Sequence, residues 1–140
     1  MERDALSRAR ASFEREAWRE AHEIWSAADR EVPLEPEDLD RLAACAFMLG
    51  NEAECADLWA RAHQEFLNRG DAEQAALCAF RIGFDLLGKG MTAHASGWLA
   101  RARRALDDAG CDSVVRGYLL IPDAIRSTRV TEATPFSQAA

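Results

Sequence analysis

Three histidines (His22, His63, His94) and four cysteines (Cys45, Cys55, Cys78, Cys111) are the side chains best suited to hold a metal ion or to act as nucleophile and base. Sites of that kind draw on closely spaced ligands, and the chain has no CxxC pair and no two neighbouring histidines. His22-Glu23 opens like a zinc-protease helix, but Ser26 stands where the second histidine must be. No metal or other cofactor is therefore expected. Hydrolytic chemistry lacks its turn as well. There is no Gly-x-Ser-x-Gly, no glycine loop to cradle phosphate, and Ser96-Gly97 falls inside a helical stretch. The many carboxylates fall on predicted outer faces, where solvated charge is the usual state. The reading is of a protein that is not an enzyme. The cysteines sit in Ala-rich surroundings, which predicts reduced thiols packed in a core. One dense basic cluster remains, Arg101, Arg103 and Arg104, near a predicted helix C-terminus. Its expected role is to complement the helix dipole rather than to bind phosphate.

The charge balance supports that reading. With 24 acids against 17 bases the formal net charge is −7, which disfavours direct binding of nucleic acid or of an anionic membrane. No run of about 18 apolar residues is available to span a bilayer. Met1-Glu2-Arg3-Asp4 is charged where a secretion signal carries its apolar core, so a cytoplasmic location is expected. A chain of 140 residues, 49% of them hydrophobic, suffices for one domain with its own core.

The residues that must position these groups are helix formers. Alanine makes up roughly a fifth of the chain, with many Leu, Glu and Arg, whereas β-branched residues are few. Punctuation by Gly, Pro and capping residues predicts an all-α chain. The first helix runs from about Asp4 to Arg15, and the second from Trp18 to just before Val32-Pro33. The third starts at Pro36, a first-turn proline followed by Glu37 and Asp38, and reaches Leu49. Asn51 with Glu54 caps a fourth that ends at Gly70, and Asp71 with Gln74 caps a fifth that ends at Gly88. The sixth covers about Thr92 to Ala109 and the seventh about Ser113 to Arg126.

Three of these helices share one pattern. Trp18 to Trp25 aligns with Glu52 to Trp59 and with Thr92 to Leu99. A small residue falls at Ala21, Cys55 and Ala95, a large one at Trp25, Trp59 and Leu99, and a small one again at Ala28, Ala62 and Ala102. The helices before them share a small position at Ala9, Ala43 and Gly83. This register resembles the tetratricopeptide repeat, and Pro33 falls at the family's closing proline. The stretch from about Ala43 to Arg126 is similar, more narrowly, to the helical-repeat region of bacterial LuxR-type transcriptional regulators. That likeness is carried by Arg61-Ala62-His63, by Ala79 to Phe84, by Gly97 to Ala102 and by Gly117 to Pro122. The near-exclusive use of Arg over Lys fits a GC-rich bacterial genome.

The resemblance implies a right-handed solenoid of about three helix hairpins plus a partial fourth. Residues 1–126 would form the helical-repeat domain, with 127–140 as a tail or the start of a further repeat helix. It also implies a concave groove lined by the first helices of the hairpins, with Phe13, Phe47, Met48, Phe80, Phe84, Leu87, Tyr118 and Ile121 along it. Aromatic and Met side chains suit an adaptable apolar face. The alternative is that a tightly wound solenoid folds this face into its own core. The expected function is a non-catalytic module that binds a protein or peptide segment in bacterial transcriptional regulation. Two other readings stand beside it: a sensor that closes over a small apolar ligand, and a fragment of a LuxR-type regulator without its helix-turn-helix. A peptide-carboxylate clamp is not expected, because Asp40, Ala44, Phe80 and Phe84 occupy the surface where its basic ring belongs.

Overall fold

A computed structural model of the chain describes residues 2–122 and 124–125. Among them the regular structure is all helical. It comprises α1 (Glu2–Glu14), α2 (Trp18–Glu31), α3 (Pro36–Met48), α4 (Glu52–Arg69), α5 (Ala72–Gly88) and α6 (Thr92–Asp108), followed by α7 from residue 115 onwards. The predicted end of the seventh helix at Arg126 and the 127–140 tail lie outside the described residues. No helix among those described is long and apolar enough to cross a membrane.

The helix boundaries have local causes. Asn51 Oδ1 accepts the Glu54 N–H at 3.3 Å while Asn51 Nδ2 donates to Glu54 Oε2 at 2.7 Å, so the pair predicted to open α4 does so reciprocally. Asp71 Oδ1 accepts the Gln74 N–H at 3.2 Å and opens α5 in the same way. At the end of α4, Gly70 turns left-handed at φ 82°, a conformation that a Cβ penalises. The Asp71 N–H then reaches back to the Phe66 carbonyl at 2.9 Å. Between α1 and α2 no glycine is available, and Glu16 takes the left-handed turn at φ 60°.

Each helix packs on the next in the chain. The repeated small and large positions mark where they meet. Ala9, Ala43, Ala21, Ala95, Ala62 and Ala102 are fully buried, as are Trp25 and Leu99. Trp59 and Ala28 are half-buried against the first core. The tightest contact is at Gly83 on α5. A Cβ added there would meet Leu99 Cγ at 2.8 Å and Cδ2 at 2.9 Å, with the Ala95 carbonyl oxygen at 3.3 Å. The three residues that the register assigned to one contact are thus in contact.

Charged pairs link helices two apart in the chain. Arg10 on α1 holds Asp38 on α3 with both ends of its fork, Nε to Oδ1 at 3.1 Å and Nη2 to Oδ2 at 2.7 Å. Arg61 on α4 grips Asp29 on α2 at 2.8 and 3.0 Å. Arg81 on α5 reaches Asp40 on α3 at 2.6 Å. Each of these pairs bridges a helix to the one two places on.

All four cysteines are free. Cys45, Cys55 and Cys78 are buried and Cys111 is half-buried, which places three of them in the core, as expected. Burial pushes the Cys45 thiol up to about 11 and those of Cys55 and Cys78 up to about 12. At pH 8 a thiol reagent should therefore label Cys111 first and reach the other three only on unfolding. In the unfolded chain these thiols ionise near 9, so the stability they contribute is whole below that pH and is lost as the pH rises towards their folded values. Urea midpoints should fall between pH 9 and 11, and less so in Cys78→Ala.

Two glycine substitutions test the packing. Gly97 on α6 has open space where a Cβ would go, so Gly97→Ala should stabilise by about 0.5–1 kcal/mol through helix propensity alone. Gly83→Ala gains the same propensity but overpacks Leu99, which costs about 1–3 kcal/mol. Its urea midpoint should fall while that of Gly97→Ala rises.

Candidate functional site

The eight residues expected along one groove divide into three groups. Leu87 is only 4% exposed and belongs to the interior. Phe13 packs edge-on against Trp18 and Trp25, with ring centroids at 5.3 and 5.8 Å, and so joins the first core. Both corrections have a geometric cause. Leu87 lies about 60° back around the helix from Phe84, because three residues fall short of a 3.6-residue turn. Phe13 is covered because the two tryptophans of α2 close over it.

Phe47 and Met48 form the second group. They are exposed at the end of α3. Phe47 faces Trp59 at 6.4 Å. With Cys55, Ile82, Leu86 and Lys89 these two rings line an open cleft of about 270 Å³. Lys89 fences its mouth through ion pairs to Asp85 at 2.8 Å and Glu52 at 3.1 Å.

The third group is an aromatic cluster on α5 and α7. The Phe80 ring lies 5.6 Å from Phe84 and 5.9 Å from Tyr118, both tilted stacks. Phe80 is half-buried against the second core, whereas Phe84 is 42% and Tyr118 41% exposed. Ile121 is exposed further along α7, as are Leu120 beside it and Val114 in the turn before the helix, neither of which was expected on this face. The signal was present in Val114-Val115 and Leu119-Leu120-Ile121. Successive apolar residues on a helix point in different directions, so one buried stripe cannot take them all.

The polar residues fall into structural roles. His22 Nε2 lies 2.8 Å from Glu54 Oε1, and His94 is exposed. His63 is buried, with its Nδ1–H donated to the Ala75 carbonyl oxygen at 2.7 Å. Among the described residues no three His, Cys, Asp or Glu side chains gather as metal ligands. The arginine cluster departs from expectation. The last turn of α6 holds no base, so these arginines do not cap the helix. Arg101 lies over the Trp98 ring at 4.6 Å, and Arg103 reaches the Leu119 carbonyl at 3.4 Å. Arg104 lines a cleft against α4.

Compared with known proteins, the chain matches no family model and no curated protein.

Burial, aided by the Arg101 charge, lowers the pKa of His63 below its ordinary 6.5. The unfolded chain therefore takes up a proton first as the pH falls. The stability His63 contributes is whole above about 6.5 and is lost as the pH drops through its folded value. His63→Asn keeps a donor for the Ala75 carbonyl and removes the titration. Its stability relative to the parent chain, from urea unfolding, should improve as the pH is lowered from 7 to 5.

Proposed function

We propose that the chain is a non-catalytic interaction module, a tetratricopeptide-like right-handed solenoid that recognises a segment of a partner protein. One observation carries the reading: Phe84 and Tyr118 stand half in solvent, each stacked on a Phe80 ring that the core holds in place. Exposed aromatics on a rigid base are the usual anchors of protein interfaces. The ion pairs that join corresponding helices support the stacked arrangement, since successive hairpins of a solenoid meet in that way. The cleft beside Phe47 and Trp59 opens to solvent. That favours an extended peptide over a ligand sealed in a cavity. A role in bacterial transcriptional regulation rests on the likeness to LuxR-type regulators alone.

A peptide selected from a displayed library against the full chain provides the test. Phe84→Ala should weaken its binding by about 2 kcal/mol or more, roughly thirtyfold. The urea midpoint should stay close to that of the parent, because the ring is already partly solvated. A stability loss of about 3–5 kcal/mol would instead assign Phe84 to the core. Binding that ignores Phe84→Ala and Tyr118→Ala alike would remove this face from the function.

A further inference from the structure

The geometry points to a second site, in the cleft between α4 and α6, that binds a small organic oxyanion: a carboxylate or phosphate on a short apolar body. The cleft has a volume of about 310 Å³, a size suited to a small ligand. Arg101 and Arg104 line it from α6, three residues apart and so on one helix face. Neither has a carboxylate within ion-pair distance among the described residues. Arg10, Arg15, Arg41, Arg61, Arg69, Arg81 and Arg116 each hold one, whereas these two guanidinium groups face a shared cleft with their charge open to an external anion. The Trp98 ring lies beneath the Arg101 guanidinium, which orients that planar fork for two-point contact with an oxyanion.

The opposite wall comes from α4. Gln64 lines the cleft there, with one amide N–H committed to Asn68 Oδ1 at 3.0 Å and the other left to donate. His63 lines the cleft beside it, with its Nδ1–H committed to Ala75. Leu67 and Ala105 supply apolar wall for the body of a ligand. Asp108 brings the one carboxylate of the lining, which leaves the site positive beside two guanidinium groups. A long polyanion would meet the repulsion of a chain carrying −7, so the fit is to a small anion. The site shares no residue with the Phe80, Phe84 and Tyr118 cluster and stands independently of the peptide-binding reading.

Phenyl phosphate, phenylacetate and inorganic phosphate, titrated into the full chain at constant ionic strength, distinguish the possibilities. The arginine Nε–H and Trp98 indole signals are followed by NMR. Saturable shifts are expected with both aromatic anions, and their relative affinities tell a phosphate site from a carboxylate site. Phenyl phosphate should bind more tightly than inorganic phosphate, because Leu67 and Ala105 take the ring. Arg104→Gln should weaken binding about tenfold or more, whereas Arg30→Gln, which removes a charge from α2, should leave it unchanged. Arg104 is exposed, so its replacement spares the core. Should Arg104→Gln nonetheless unfold, Arg101→Lys removes the fork, keeps the charge and carries the same test. Shifts that fail to saturate, or equal weakening by Arg104→Gln and Arg30→Gln, would overturn the site. Equal affinity for the two phosphates would overturn the apolar body.

Discussion

The distance at which α5 and α6 cross sets the rest of the fold. Gly83 faces Leu99 so closely that a single methyl would collide with it. A glycine inside a helix costs about 1 kcal/mol relative to alanine, and here that cost is offset. The close approach buries Leu99 completely, and full burial of a leucine is worth about 1.5–3 kcal/mol. Once α6 sits at that distance, Ala102 and Leu106 enter the same cluster, and Val115 and Leu119 of α7 close over it. In the first hairpin Ala9, Ala21 and Trp25 are likewise fully buried in one cluster. Small residues on one helix and a large one on the next fix the separation. The separation then decides which apolar side chains remain outside.

Electrostatics act on top of this packing, and unevenly. Most of the ion pairs are partly solvated, where a pair contributes about 1 kcal/mol or less. In Arg10–Asp38, Arg61–Asp29 and Arg81–Asp40 the geometry matters more than the strength, because each of these three ties a helix to the one two places on. Asp38 is the exception. It is 1% exposed, and a carboxylate taken that far out of water is tolerated only when its oxygens are satisfied. The Arg10 fork meets both oxygens, and Arg41 adds a third contact at 3.2 Å. Arg10 itself keeps about half its side chain in solvent, so one partner stays hydrated while the other is buried. A sequence reading that saw Asp38 only as a suitable charge near a helix N-terminus missed this lock, since its partner lies a hairpin away.

What was legible in the sequence was local. Caps, glycine stops and the first-turn proline act within a few residues, and the helices begin and end close to where those residues place them. The small–large register was legible too, because the contact repeats and each copy supports the others. The groove was not. Facing direction depends on tens of degrees of helix rotation and on what the neighbouring helix lays across. Leu87 was lost to rotation and Phe13 to the tryptophans that cover it. The arginine cluster was misread for a related reason. Arg101, Arg103 and Arg104 are close in sequence but divide between neighbours: Arg101, resting on Trp98, and Arg104 line the cleft against α4, while Arg103 reaches α7.

The aromatic cluster differs from an ordinary patch of exposed apolar residues in how its rings are held. A flexible side chain that anchors a partner loses rotamer freedom on binding, at about 0.5–1.5 kcal/mol each. Phe80 packs against the second core, and the Phe84 and Tyr118 rings both lie against it. Part of their freedom is already lost in the unbound chain, so a partner that covers them has less ordering left to pay. Phe47 on Trp59 repeats the arrangement one hairpin earlier, with an exposed ring resting on a half-buried one. Two such pre-ordered aromatic steps, one on α3 and α4 and one on α5 and α7, are what the proposed segment-binding face requires, since each lowers the ordering cost of covering it.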